Sequence, residues 1–94
     1  MAETRAVHVS ISGLVQGVAF RAWTERRANA LGLSGWVCNL AGGDVEAVFS
    51  GPADAVEAML SACREGPRGA VVERVEVLGR AEPLSGPFTI RLDR

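Results

Sequence analysis

The sequence predicts an α+β domain in which two helices cover one face of a mainly antiparallel sheet. The first observation is the alternation of Val7, Val9 and Ile11 with polar residues, which is typical of a half-buried strand. The second is helical periodicity in two separate segments, each of which follows a predicted strand. The third is a glycine-rich turn at residues 42–44 between two apolar runs, which indicates a β-hairpin.

The individual elements follow from local signals. The first helix is predicted over about residues 19–31 and ends at Gly32. The second begins at Gly51-Pro52, because proline is tolerated in a first helical turn, and ends before Gly66-Pro67. Their predicted inner faces carry Phe20, Trp23, Ala28 and Leu31 in the first helix, and Val56, Met59, Leu60 and Cys63 in the second. The predicted strands cover residues 5–12, about 34–40, 45–50, about 70–80 and 88–92.

This order is β-α-β-β-α-β followed by a short C-terminal strand. Right-handed crossovers place both helices on the same side of the sheet, which is the ferredoxin-like arrangement. Residues 1–94 contain no linker, repeat or low-complexity segment, so we expect a single domain. Many unrelated activities use this fold, so the fold alone does not determine function.

Composition excludes several classes of function. Apolar residues make up 48% and charged residues 22% of the 94 residues, with a net charge of −1, so we expect neither disorder nor a nucleic-acid or membrane partner. No apolar run approaches the ~18 residues of a membrane span, and the N-terminal residues lack a signal-peptide core. We expect a cytoplasmic protein, and its size and surface balance predict a monomer. Cys38 and Cys63 alone make neither a disulfide framework nor a metal site.

The segment from Gly13 to Arg21, GLVQGVAFR, leads from the first strand into the first helix. Its glycines permit a tight turn, and the amides of a helix N-terminus attract anions. Arg21 adds a full positive charge that can pair with two oxygens of one phosphate. An anion pocket and a plain strand-to-helix connection both fit these residues.

Asn39 is the second candidate, near the end of the second strand. Asn39 is two residues after Val37, and side chains alternate along a strand, so both point towards the helix-covered side. There Asn39 could meet the 13–21 segment. From composition alone, however, a turn residue that satisfies the backbone of the following hairpin is the better explanation.

His8 lies on the polar face of a strand without other metal ligands at suitable spacing. Asp44 and Glu46 are expected to be exposed charges.

Two motifs identify a family. VQGVAFR at residues 15–21 and GWVCN at 35–39, followed by GDVE at 43–46, resemble the acylphosphatase family. The likeness continues in order through VERVEV at 72–77 and the closing FTI, so it covers almost the whole chain. The resemblance implies metal-free and cofactor-free hydrolysis of acyl phosphates to a carboxylate and inorganic phosphate. Small departures are Leu14, Ala19 and Gly42, where the family commonly has other residues.

The resemblance also implies roles for individual residues. It makes Arg21 and Asn39 catalytic, with Asn39 positioning the attacking water. It places the phosphate on the backbone N–H groups of Val15, Gln16, Gly17, Val18, Ala19 and Phe20. Inorganic phosphate or sulfate is expected to bind there as a product-like ligand.

Two other functions remain as alternatives. One is a non-catalytic module that binds acyl or carbamoyl phosphates within a larger maturation system. The other is an RNA-binding domain, because RNA-recognition domains share this element order. Its third strand would then carry basic and aromatic residues, whereas DVEAVFSG is acidic and has a single aromatic residue.

Overall fold

A computed structural model describes residues 3–94 and contains a five-stranded sheet with two helices. The predicted element order is confirmed. The elements are β1 (Thr4–Leu14), α1 (Phe20–Ala30), β2 (Ser34–Asn39), β3 (Val45–Pro52), α2 (Ala53–Glu65), β4 (Val71–Arg80) and β5 (Thr89–Ile90).

The strands are arranged in the order β4-β1-β3-β2-β5. β1 pairs in antiparallel orientation with β3 and β4, and β2 pairs with β3 in the same way. Only the short β5 is parallel to its neighbour β2. Because β3 lies between β1 and β2, α1 must cross over the sheet to connect them, as in the predicted ferredoxin-like fold.

The core lies between the sheet and the helices. Val7, Val9 and Ile11 are buried, which confirms the alternation predicted for β1. The four residues predicted to form the inner face of α2 are also buried. Burying an aliphatic side chain of this size stabilises a fold by about 1.5–3 kcal/mol, so this shared core fixes the positions of β1 and α1, which flank the site.

The inner face of α1 is confirmed in part. Phe20 and Ala28 are buried, whereas Trp23 and Leu31 pack against the core only partly buried. Thr24 is buried as well, and its hydroxyl donates a hydrogen bond of 2.8 Å to the Phe20 carbonyl, which satisfies it inside the core. Within residues 3–94, no helix has the length and apolar character needed to cross a bilayer.

Two predicted boundaries were wrong. Gly51-Pro52 does not begin α2, because β3 extends through Pro52, which pairs with Thr4. Pro52 has an extended conformation (φ −56°, ψ 138°) and precedes the first helical residue. The predicted strand over residues 88–92 is regular only at Thr89–Ile90, and Phe88, which precedes it, is buried in the core. The Asn29 side chain holds Phe88 there through both of its backbone groups.

Candidate active site

The 15–20 loop leaves the end of β1 and enters α1. Val15 and Phe20 are buried and anchor its two ends. Between them, Gly17 has a φ of 76° and Ala19 has a φ of 61°. The left-handed conformation costs a residue with a Cβ about 1–2 kcal/mol, so the surrounding packing must hold Ala19 in this turn. The result is a chain reversal directly before the first turn of α1.

The N-terminus of α1 has no capping side chain among residues 3–94, and its first turn contains no acidic residue. The first amides of a helix have no intrahelical acceptor and carry the positive end of the helix dipole. Arg21 lies in this same turn and adds a permanent positive charge. Local chemistry therefore favours an anion at this point.

These groups surround a small pocket of about 260 Å³. This volume lies below that of sites for drug-sized ligands, so it suits a compact group such as a phosphoryl group. Arg21 and Asn39 both line the pocket, although they are far apart in the sequence. The complete lining is Val15, Gln16, Gly17, Ala19, Phe20, Arg21, Ala22, Asn39 and Ile90.

Asn39 enters the pocket from the end of β2. Its position opposite Val45 fixes its backbone at the last pair before the hairpin turn. Its Oδ1 is buried and has no hydrogen-bond partner within the part of the chain that the structure describes. A buried acceptor without a donor costs about 1–3 kcal/mol, so this oxygen is suited to accept a hydrogen bond from a molecule that enters the pocket.

Most of the predicted site residues meet in this pocket. Arg21, Asn39 and five residues of the 15–20 loop line it, whereas Val18 packs against the core and is not among the lining residues. Gly13 is not among the residues that line the pocket. It has a φ of 121°, but a Cβ there would lie 2.2 Å from the Val71 carbonyl oxygen, so its close neighbour is β4.

Asp93 is a site residue that the sequence did not predict. Its Oδ1 accepts a hydrogen bond of 2.8 Å from Arg21 Nη1 and one of 3.3 Å from the Asn39 backbone N–H. It is carried by the C-terminal tail, which we define as residues 91–94. The backbone N–H groups of Arg91 and Arg94 donate to the carbonyls of Val37 and Asn39, each at 2.9 Å. This pairing with β2 places a carboxylate beside both candidate residues.

Side chains on the sheet face away from the helices also hold the C-terminal tail. Arg91 and Arg94 lie over the Trp36 ring, at 4.6 and 5.5 Å from its centroid. Arg94 also pairs with Glu46, which His8 contacts at 2.7 Å. Glu46 was expected to be exposed, but its side chain is only 14% accessible. Burial raises the pKa of Glu46, yet the hydrogen bonds and charges of His8 and Arg94 outweigh it and leave the pKa below its usual value.

Comparison with known proteins supports one family. The acylphosphatase family model matches residues 7–90. An acylphosphatase from a Synechococcus species is 54% identical over 92 residues, which cover 98% of this chain and 96% of that protein. The structure of an acylphosphatase from Coxiella burnetii superimposes with a TM-score of 0.88 at 38% identity, covering 94% and 93% of the two chains.

A larger protein contains a similar unit. The structure of full-length HypF in a phosphate- and nucleotide-bound form matches 99% of this chain with a TM-score of 0.87 at 25% identity, but the match covers only 12% of HypF. By contrast, the Synechococcus and Coxiella proteins match over nearly their whole length. The fold, the family model and these relatives agree, and the chain belongs to the acylphosphatase family.

Proposed function

We propose that this chain carries out the family's reaction, the hydrolysis of small-molecule acyl phosphates, in the pocket that Arg21 and Asn39 share. The observation that carries the assignment is the meeting of three features in one small cavity. These are an uncapped helix N-terminus, the Arg21 guanidinium and the buried, unpartnered Asn39 Oδ1. The first two bind an anion, and the third accepts a hydrogen bond.

The phosphoryl group binds to the 15–20 loop. Its three oxygens accept hydrogen bonds from backbone N–H groups of the loop and from the first turn of α1. Arg21 donates to two of these oxygens, which its planar guanidinium allows. Because these donors are fixed before the substrate arrives, they stabilise the charge on the equatorial oxygens in the transition state without reorganisation.

Asn39 positions the nucleophile. Its Oδ1 accepts a hydrogen bond from a water molecule and holds that water opposite the leaving carboxylate, in line with the bond that breaks. The water oxygen forms a bond to phosphorus while the bond from phosphorus to the acyl oxygen breaks, and the acyl group leaves as a carboxylate. The electron pair of the broken bond stays on that carboxylate oxygen.

The proton of the attacking water passes to a phosphoryl oxygen of the substrate. A strong general base is unnecessary, since a carboxylate is a good leaving group and bond breaking is far advanced in a loose transition state. Phosphate esters of ordinary alcohols have poorer leaving groups, so this site should hydrolyse them feebly. The same charge pattern makes inorganic phosphate a competitive inhibitor.

The cationic part of the site comes from the chain itself. Residues 3–94 contain no group of three or more His, Cys, Asp or Glu side chains that could hold a metal ion. Arg21 and the amides of the 15–20 loop take the role that a divalent ion has in many phosphoryl-transfer enzymes.

The direct test is hydrolysis of benzoyl phosphate by the purified protein in the presence of EDTA. We expect full activity with the chelator and competitive inhibition by inorganic phosphate. Phosphate binding without any hydrolysis would instead favour the binding module, and micromolar RNA binding without hydrolysis would favour the RNA-binding alternative. A rate that depends on added divalent ions would contradict the metal-free mechanism.

Replacing Asp93 should strengthen phosphate binding. In Asp93→Asn, the carboxylate no longer competes with phosphate for Arg21, and a negative charge beside the pocket is lost. Because an exposed ion pair contributes about 0.2–1 kcal/mol, we expect the inhibition constant of phosphate to fall by about 1.5- to 5-fold. Competitive inhibition assays at low ionic strength measure this change.

Glu57→Gln is the matched control for Asp93→Asn. It breaks an ion pair of similar length and exposure between Arg5 and Glu57, which lies outside the pocket. This variant should leave phosphate inhibition unchanged. A higher inhibition constant in Asp93→Asn would mean that Asp93 supports the binding conformation of Arg21 and does not compete with the ligand.

A further inference from the structure

The Gln16 side chain makes contacts of its own, separate from the phosphate-binding role expected of its backbone N–H group. Its Nε2 donates two hydrogen bonds across the site, to the carbonyl of Leu40 at 2.8 Å and to the carbonyl of Asp44 at 2.9 Å. Leu40 directly follows Asn39, and Leu40 and Asp44 flank the β2–β3 turn. One amide group thus joins the 15–20 loop to the hairpin that carries the candidate water-binding residue.

The two acceptors are the groups that close the turn. The Leu40 N–H donates to the Asp44 carbonyl at 2.9 Å, and the Gly43 N–H donates to the Leu40 carbonyl at 3.1 Å. Each carbonyl has a second lone pair, and Gln16 uses both of these remaining positions. Gln16 therefore fixes the closed form of the turn as well as its distance from the loop.

The 15–20 loop needs such a connection at this position. The buried residues Val15 and Phe20 anchor its ends. Gly17, next to Gln16, has no side chain, and open space surrounds the position where a Cβ would lie. On the other side, the tip of the hairpin turn is exposed at Ala41 and Gly42. A contact between these two segments restricts both, and removing it leaves the separation of the loop amides and Asn39 poorly determined.

We propose that Gln16 is a positioning residue that sets the separation between the phosphate-binding amides and the Asn39 carboxamide. This inference depends on the proposed function, since it assumes that the loop holds phosphate and that Asn39 holds water. Phosphate binding uses the loop and Arg21 but not Asn39. In-line attack also needs Asn39 at the correct distance from the loop. A displacement of about 1 Å between reacting groups can lower a rate by about 100-fold.

Two substitutions of Gln16 test the proposal in different ways. Gln16→Met keeps the length of the side chain and removes both donors. Gln16→Glu keeps the shape but brings carboxylate oxygens against two carbonyl oxygens, which also pushes the hairpin away. We expect kcat for benzoyl phosphate to fall by about 10- to 100-fold in Gln16→Met and further in Gln16→Glu. The inhibition constant of phosphate in Gln16→Met should stay within about threefold of wild type.

A control variant separates positioning from a general loss of stability. Asn29 is a second amide side chain with two hydrogen bonds to backbone groups, here those of Phe88, and it does not line the pocket. Asn29→Leu should lower the free energy of unfolding and leave kcat within about twofold of wild type. A similar fall in kcat in this variant would mean that any loosened connection slows the enzyme.

The decisive experiment is a double-mutant cycle between Gln16 and Asn39. If Gln16 acts through Asn39, then Gln16→Met should slow wild type by 10- to 100-fold but slow Asn39→Ala by less than about threefold. Equal effects in both backgrounds, or a weakening of phosphate binding in proportion to the lost rate, would overturn the proposal. An Asn39→Ala variant with wild-type kcat would instead contradict the proposed function, so the two failures are distinguishable.

Discussion

Arg21→Ala should lower kcat/KM for benzoyl phosphate by at least about 1,000-fold and abolish inhibition by inorganic phosphate. Arg21 is the cationic side chain that lines the pocket, at the N-terminus of α1. Arginines that stabilise a transferring phosphoryl group raise kcat by about 10³- to 10⁵-fold. Both binding and turnover depend on the guanidinium, so both should be lost. Steady-state kinetics with phosphate as the inhibitor measure the two effects.

Arg21→Lys tests the geometry of the charge. Lysine keeps the positive charge but is a point donor that cannot pair with two oxygens in one plane. We expect it to recover only a small part of the lost activity, leaving kcat/KM about 100-fold below wild type. Arg26→Ala is the control, because Arg26 is an exposed arginine of the same helix and does not line the pocket. Wild-type kinetics in Arg21→Ala would remove this residue from the mechanism.

Asn39→Ala should separate binding from chemistry. We expect kcat to fall by about 100- to 1,000-fold, because the attacking water loses its hydrogen-bond acceptor. The substitution retains the backbone groups that contact Asp93 and Arg94, so the C-terminal tail and the phosphate-binding loop should stay in place. The inhibition constant of phosphate should therefore change by less than about threefold. Parallel loss of phosphate binding would show that Asn39 contacts the anion itself.

Local patterns were sufficient to predict the buried faces of β1 and α2. The alternation in β1 and the i, i+3, i+4, i+7 spacing in α2 report which face of each element is buried, and both are confirmed. The boundary at Pro52 was wrong because proline fits both the first turn of a helix and the extended residue before it. The pairing of Pro52 with Thr4 decides between these positions, and Thr4 is distant in sequence.

The site could be predicted only in part. Parity placed Asn39 on the helix-covered side, and it does line the pocket with Arg21. The alternation of side chains along a strand does not show whether a turn or a ligand satisfies the Asn39 side-chain amide. Only the family resemblance implied a catalytic role. Asp93 gave no local signal, because its position depends on how the C-terminal tail pairs with β2. The partners of the Gln16 side chain lie 24 and 28 residues along the chain, beyond any local pattern.

A crystal structure of the protein with bound inorganic phosphate is the most direct test of the central claim. We expect the anion to accept hydrogen bonds from backbone N–H groups of the 15–20 loop and from the Arg21 guanidinium, with Asp93 displaced from Nη1. We also expect an ordered water to link Asn39 Oδ1 to the face of the phosphorus atom that points towards β2. Phosphate bound elsewhere, or bound in the loop with Asn39 turned out of the pocket, would contradict this mechanism.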